Sequence, residues 1–96
     1  MNITFNKNAG ILEVGIEGRL DTNSAPEFES FIVANSDGIH ALNIDCEKLV
    51  YVSSAGLRVF LSAHKRMNGS MKLTNVCELV MEVFEMTGFA DILTIE

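Results

Sequence analysis

Hydrophobic positions change period several times along this chain, and the changes divide it into elements. Ile3 and Phe5 alternate with Asn2, Thr4 and Asn6, the period of two that sends neighbouring side chains to opposite faces of a strand. The NAG turn at 8–10 follows, after which Leu12, Val14 and Ile16 share one face while Glu13 and Glu17 take the other. Together they predict a β-hairpin. Beyond it the spacing becomes helical. Phe28, Phe31 and Ile32 form the apolar stripe of a helix ending near Asn35. Ser24 and Glu27 stand in S-x-x-E capping-box spacing, and Pro26 falls in the first turn, where its missing N–H costs nothing. Leu42 and Ile44 mark a short strand bounded by Asp45, and a loop holding Leu49 and Tyr51 is expected next. Leu57, Phe60, Leu61 and His64 lie on one face of a second helix, with Lys65 and Arg66 in its last turn and Gly69 placed to close it. Residues 71–76 predict a further strand. Leu79, Val80, Val83 and Phe84 predict a third helix stopped by Gly88, and residues 91–95 a short edge strand.

After the hairpin, strand and helix alternate, which implies parallel neighbours joined by right-handed crossovers. The expected class is therefore α/β: a small mixed sheet of four to five strands covered by helices on at least one face. At 96 residues the chain is expected to be one domain, 1–96, because halves of it are too small to bury a core. Loops leaving the carboxyl ends of parallel strands share one rim and commonly carry the site. Here that rim is expected to collect Asp21 and Thr22, then Ser53 and Ser54, then Asn75.

Composition narrows the chemistry. Hydrophobic residues make up 48 %, enough for a packed core, and the formal net charge of −6 argues against direct nucleic-acid binding, which needs a basic face. The opening residues lack the apolar core of a signal peptide and no run reaches membrane-spanning length, so a cytoplasmic location without membrane insertion is expected. Cys46 and Cys77 stand in no metal-ligand spacing and read as two reduced, largely buried thiols; no cofactor is called for.

The segment VSSAGLR at 52–58 concentrates what chemistry there is. Serine is a preferred helix N-cap, worth about 1 kcal/mol, so Ser53 or Ser54 can simply cap the second helix. A nucleophilic Ser54 needs a base. The G-x-S-x-G elbow is only half present, with Gly56 in place but Val52 where the first glycine belongs. His64 lies about ten residues along the same helix, roughly 15 Å away at 1.5 Å per residue, and His40 precedes the third strand at the opposite end. No enzyme is expected. The third reading makes Ser54 a phosphoacceptor. A phosphate there adds about −1.5 to −2 charges, which a helix N-terminus accommodates while any partner docked on the rim is repelled. Ala55 and Gly56 suit a close partner approach, and Gly56 equally suits close packing on the sheet.

Three stretches, GRLDTNSAPEFE (18–29), LNIDCEKLVYVSSAGLRVFL (42–61) and ELVMEVFEMTGFADIL (78–93), resemble the STAS domain of bacterial anti-sigma factor antagonists. The resemblance spans nearly the whole chain in order and spacing. It implies a protein–protein switch. The unphosphorylated domain binds an anti-sigma factor that is also a serine kinase, which frees a sigma factor. Phosphorylation of one serine abolishes binding, and a PP2C-type phosphatase restores it. The family motif D-S-[SA]-G-L puts the phosphoacceptor at Ser54, less favourably at Ser53. The implied partner surface runs from Asp21 and Thr22 through Ser53, Ser54 and Ala55 to Gly56, Leu57 and Arg58. Ser53 stands where many members carry Asp. STAS domains also serve unmodified, as scaffolds or as subunits of larger complexes such as lipid transporters, and that is the alternative.

Overall fold

In the computed structural model, which describes residues 1–96, β1 (Asn2–Asn8) and β2 (Ile11–Leu20) form the antiparallel hairpin. Ala9 and Gly10 join them with φ of 53° and 80°, the positive values of a turn whose twist matches that of the strands. The chain continues through α1 (Ala25–Asn35), β3 (Ala41–Val52), α2 (Ser54–Arg66), β4 (Met71–Thr74), α3 (Glu78–Thr87), a single 3-10 turn (Phe89–Asp91) and β5 (Thr94–Ile95). The five strands lie in chain order, β1–β2 antiparallel and every later pair parallel. This is the mixed α/β sheet the alternation predicts.

Sequential order with right-handed crossovers puts all three helices on one face. Burial follows that rule. Leu12, Val14, Ile16, Leu42, Ile44, Met71 and Leu73 are buried, while Glu13, Glu17 and Asp45 on the other face are exposed. Each helix sends one fully buried phenylalanine to the centre. The Phe60 ring of α2 meets Phe28 of α1 at 5.9 Å and Phe84 of α3 at 5.8 Å, both edge to face, an arrangement that adds attraction to the burial itself. Gly88, with φ of 81°, ends α3 where only a left-handed residue continues the chain cheaply.

Two boundaries differ from the pattern. The expected loop after Asp45 is strand: β3 runs twelve residues to Val52. Gly15 pairs with Asp45 but Glu17 with Lys48, and Gly18 pairs with Leu49 but Arg19 with Tyr51, so β3 carries two extra residues as bulges. They stretch the spacing of buried positions from two (Ile44, Cys46) to three (Leu49, Val52), which breaks the strand period. At the other side, β4 stops at Thr74 and β5 is only two residues long.

Phe60 joins all three helices, so Phe60→Ala is expected to cost about 3–5 kcal/mol, much of a small domain's net stability. Urea denaturation monitored by circular dichroism measures it, and Phe60→Leu is expected to cost clearly less.

Candidate functional site at the start of the second helix

One residue separates β3 from α2. That residue, Ser53, is extended (φ −97°, ψ 175°) and is the N-cap, its hydroxyl accepting the Gly56 N–H at 3.4 Å. Its own N–H donates to the Leu20 carbonyl at 2.9 Å and its carbonyl accepts the Leu57 N–H at 2.9 Å, so it continues the sheet and starts the helix at once. Ser54 is the first helical residue, exposed, its hydroxyl bonded to no group of the chain. The two hydroxyls thus divide: one caps, one is free.

Gly56 explains how the helix can start so close to the sheet. A Cβ there would lie 2.7 Å from Leu20 Cγ and 2.9 Å from Val52 Cγ2, the last residues of β2 and β3. Leu57 is only 5 % exposed and belongs to the core. Of the expected partner surface, then, Gly56 and Leu57 lie beneath it and seat the helix, Ala55 is half-buried, and Ser54 and Arg58 face outward.

The loop after β2 is organised by Asp21. Its Oδ1 accepts the N–H groups of Asn23 at 3.0 Å and Ser24 at 3.1 Å, and its carbonyl accepts the Ala25 N–H at 2.8 Å, which opens α1. The expected capping box of Ser24 and Glu27 does not form. Ser24 is already helical in conformation, and its buried hydroxyl donates to the Arg19 carbonyl at 2.7 Å while accepting the Asp21 N–H at 2.9 Å. The reason is competition, since a short side chain beside a turn bonds the nearest backbone group first. The Ser24 N–H, above all, holds the Asp21 carboxyl below the ordinary 3.8, helped by the Ser24 hydroxyl, the Asn23 N–H and the Arg19 charge, and against the opposing push of desolvation. Thr22, exposed, stands beside Ala55 and Arg58 at the mouth of a groove between α1 and α2.

Two residues that the periodicity did not single out belong here. The Arg19 guanidinium lies 4.0 Å over the Tyr51 ring, and its Nε is 3.8 Å from Asp21 Oδ2. Arg19 pairs opposite Tyr51 across β2 and β3, a register visible only once the two bulges are counted. Asn75 behaves in the opposite way. Its Nδ2 donates to Asp45 Oδ1 at 3.0 Å, level with the middle of β3, so it does not reach the Ser54 end. The long β3 carries Ser54 past the rim where β4 finishes.

Neither histidine comes to Ser54. His40 Nε2 is 3.2 Å from the Ala9 carbonyl at the hairpin turn, and His64, in the last turn of α2, keeps its Nδ1 buried without a partner. Neither histidine is therefore placed to act as a base on Ser54. Both cysteines are free; burial, foremost, pushes the Cys46 thiol up to about 12, while Cys77 is half-buried with its thiol toward the Leu49 carbonyl at 3.5 Å. No helix is long and apolar enough to cross a membrane.

A helices-on-one-face sheet whose overlong third strand delivers an exposed serine to a glycine-seated helix defines a small α/β domain of the STAS type. The model of the STAS domain matches residues 2–96, and the chain belongs to that family. The anti-sigma-B factor antagonist of Bacillus subtilis is 32 % identical over 98 residues, spanning 99 % of this chain and 90 % of its own. Among solved structures, the anti-sigma factor antagonist SpoIIAA in its unphosphorylated form superposes with a TM-score of 0.84 at 16 % identity, covering 99 % of this chain and 88 % of that one. The Bacillus cell fate determinant SpoIIAA in the phosphorylated form superposes at 0.75 with 15 % identity, covering 99 % and 91 %. The two structures establish likeness of fold.

Alanine normally stabilises a helix relative to glycine, but at Gly56 the added methyl overlaps Leu20 and Val52. Gly56→Ala is therefore expected to destabilise by about 1–3 kcal/mol, read from denaturant midpoints. For Asp21 the sign follows from its lowered folded value: its charge stabilises above the unfolded value of about 3.9, and that stabilisation is lost as pH falls through the folded value. Asp21→Asn keeps the acceptor and removes the charge. Its melting temperature is expected below wild type at pH 7, with the gap closing under acid.

Proposed function

We propose that this STAS domain is an anti-sigma factor antagonist working in the bacterial cytoplasm. In its unphosphorylated form it binds an anti-sigma factor that is also a serine kinase, and so releases a sigma factor. Phosphorylation at Ser54 switches it off, and a PP2C-type phosphatase resets it. It is a binding switch, with no catalysis of its own. The observation that carries this reading is the division between Ser53, whose hydroxyl is held by the Gly56 N–H, and Ser54, exposed and free at the first helical position. The relative in Bacillus subtilis bears the name anti-sigma-B factor antagonist, and SpoIIAA is described in both unphosphorylated and phosphorylated forms. Both support the same reading.

The physical logic is local. The free N–H groups and positive end of α2 accept a phosphate, so the fold survives. A partner seated over Thr22, Ala55 and Arg58 then meets about −1.5 to −2 charges that it must desolvate or repel. Serine in place of the usual Asp at 53 removes one negative neighbour and leaves the cap neutral.

The test is incubation with the anti-sigma kinase and ATP, followed by intact mass and phosphosite mapping. One phosphate is expected, at Ser54; Ser53→Ala remains a substrate and Ser54→Ala does not. Ser54→Asp is expected to weaken kinase binding by roughly tenfold or more, as an uncompensated interface charge does. Equal binding before and after Ser54→Asp overturns the proposal and leaves the unmodified scaffold or complex subunit as the better account.

A further inference from the structure

We infer that the partner surface continues beyond Ser54 into the groove between α1 and α2, and that the groove takes an acidic amphipathic helix of the partner. This rests on the switch reading above, and it names the chemistry that reading requires. The groove opens beside Thr22 and Ala55 with a volume of about 470 Å³, bounded by Pro26 and Glu29 on α1 and by Arg58 and Ser62 on α2. Toward Val33 and Arg66 it closes to a crevice of about 10 Å³. Its floor is formed by the buried core side chains Ile32, Val59 and Ala63, leaving a shallow seam between the two helices along which the ridge of another helix can lie.

Charge chooses the occupant. The chain has seven basic residues against thirteen acidic ones, yet Arg58, Lys65 and Arg66 all stand on the exposed face of α2. None of the three is ion-paired; the chain's ion pairs are Arg19 with Asp21 and Lys72 with Glu96. Ser54, Arg58, Ser62 and Arg66 repeat every four residues, so the free hydroxyl and two unpaired arginines fall along one stripe beside the groove. Glu29 is the carboxylate on the facing wall. The seated helix thus turns its carboxylates to α2 and a neutral or basic edge to α1. An extended polyanion such as DNA or an anionic membrane is disfavoured, because the cations are confined to one wall of the groove and the acidic remainder of the surface repels whatever extends beyond it, whereas a short helix meets only the stripe.

The stripe also accounts for the sign of the switch. Helical side chains lean toward the helix N-terminus, so Arg58 covers the turn that carries Ser54. A phosphate at Ser54 puts its charge at the mouth of the groove and engages Arg58. The acidic helix meets repulsion and loses a cation together.

The probe is a stapled amphipathic peptide of about four helical turns with an Ala/Leu ridge and glutamate flanks, beside a twin with lysine for glutamate. Each is titrated into the 15N-labelled full chain. The acidic peptide is expected to shift the amides of Ala55, Val59, Ser62 and Arg66, with binding that falls as salt rises. Arg58→Glu and Arg66→Glu are each expected to weaken it roughly tenfold, and Ser54→Asp several-fold. Lys48→Glu, on the open sheet face, leaves it unchanged. The inference is overturned if the lysine twin binds there as well, if charge reversal at Arg58 and Arg66 has no effect, or if neither peptide shifts these amides. It is equally overturned if phosphatidylglycerol vesicles or duplex DNA shift them more than the acidic peptide does. Peptide binding is read on the unmodified chain, so failure here is separate from failure of Ser54 phosphorylation in the kinase assay.

Discussion

The site depends on one close approach. At Gly56 the first turn of α2 rests directly on Leu20 and Val52, the ends of two adjacent strands, with no room for a side chain between. From that seat the rest follows. Ser53 is near enough to the sheet for its N–H to continue the ladder to the Leu20 carbonyl, while its hydroxyl turns to cap the helix. Leu57 drops into the core, and Ser54 is left pointing outward because the positions around it are committed inward. A bulkier residue at 56 would lift the turn and loosen all of these relations at once. The phenylalanine trio below holds α2 against its neighbours, but the glycine sets its height.

The second determinant is the mismatch between β3 and β4. Their pairing ends at Asp45 with Thr74, and β3 runs on alone beside β2 to Val52. Asn75 therefore stays level with the middle of the sheet and Cys77, at the start of α3, reaches only Leu49, whereas the Asp21 loop and the Ser54 turn stand together beyond them. A rim expected to gather three loops gathers two. Arg19 and Tyr51 fill the space along that extension, and their stack braces the Asp21 loop from the strand side.

How far the sequence could be read follows the regularity of its periods. The hairpin, the three helices and their stops were legible because Leu12–Val14–Ile16, Phe28–Ile32 and Val80–Phe84 keep the spacing of a strand or helix without interruption. The end of β3 was not, because two bulged residues move Leu49 and Val52 out of step with Ile44, and register is a property of the pair of strands. The capping box failed for a related reason. Ser24 has the right neighbour at Glu27, but a nearer acceptor, the Arg19 carbonyl, is supplied by a turn that spacing along one chain does not reveal. For the site, Asp21, Ser53 and Ser54 were legible as residue types at a predicted helix start. Arg19 and Tyr51 were not, since only the folded register brings them together. Gly56 was legible as a small residue, and the structure assigns it to the packing side of the two readings it allowed.

Cap and proposed acceptor occupy adjacent residues, and on that proposal this decides where the free energy of a modification falls. With Ser53 holding the cap, a phosphate on Ser54 displaces no hydrogen bond, and its interaction with the helix dipole is favourable by about 0.3–1 kcal/mol at an exposed position. The same charge inside a desolvated contact costs about 2–5 kcal/mol or more. The larger quantity lies on association, the smaller on folding, and they have opposite signs. A single serine doing both jobs would couple the switch to the stability of α2, because modifying it would remove the cap. Under the proposed switch, two serines separate the functions. The pairing of a neutral cap with a free neighbour then lets charge appear only when Ser54 is modified. Arg58, one turn on and unpaired, is placed to feel the change.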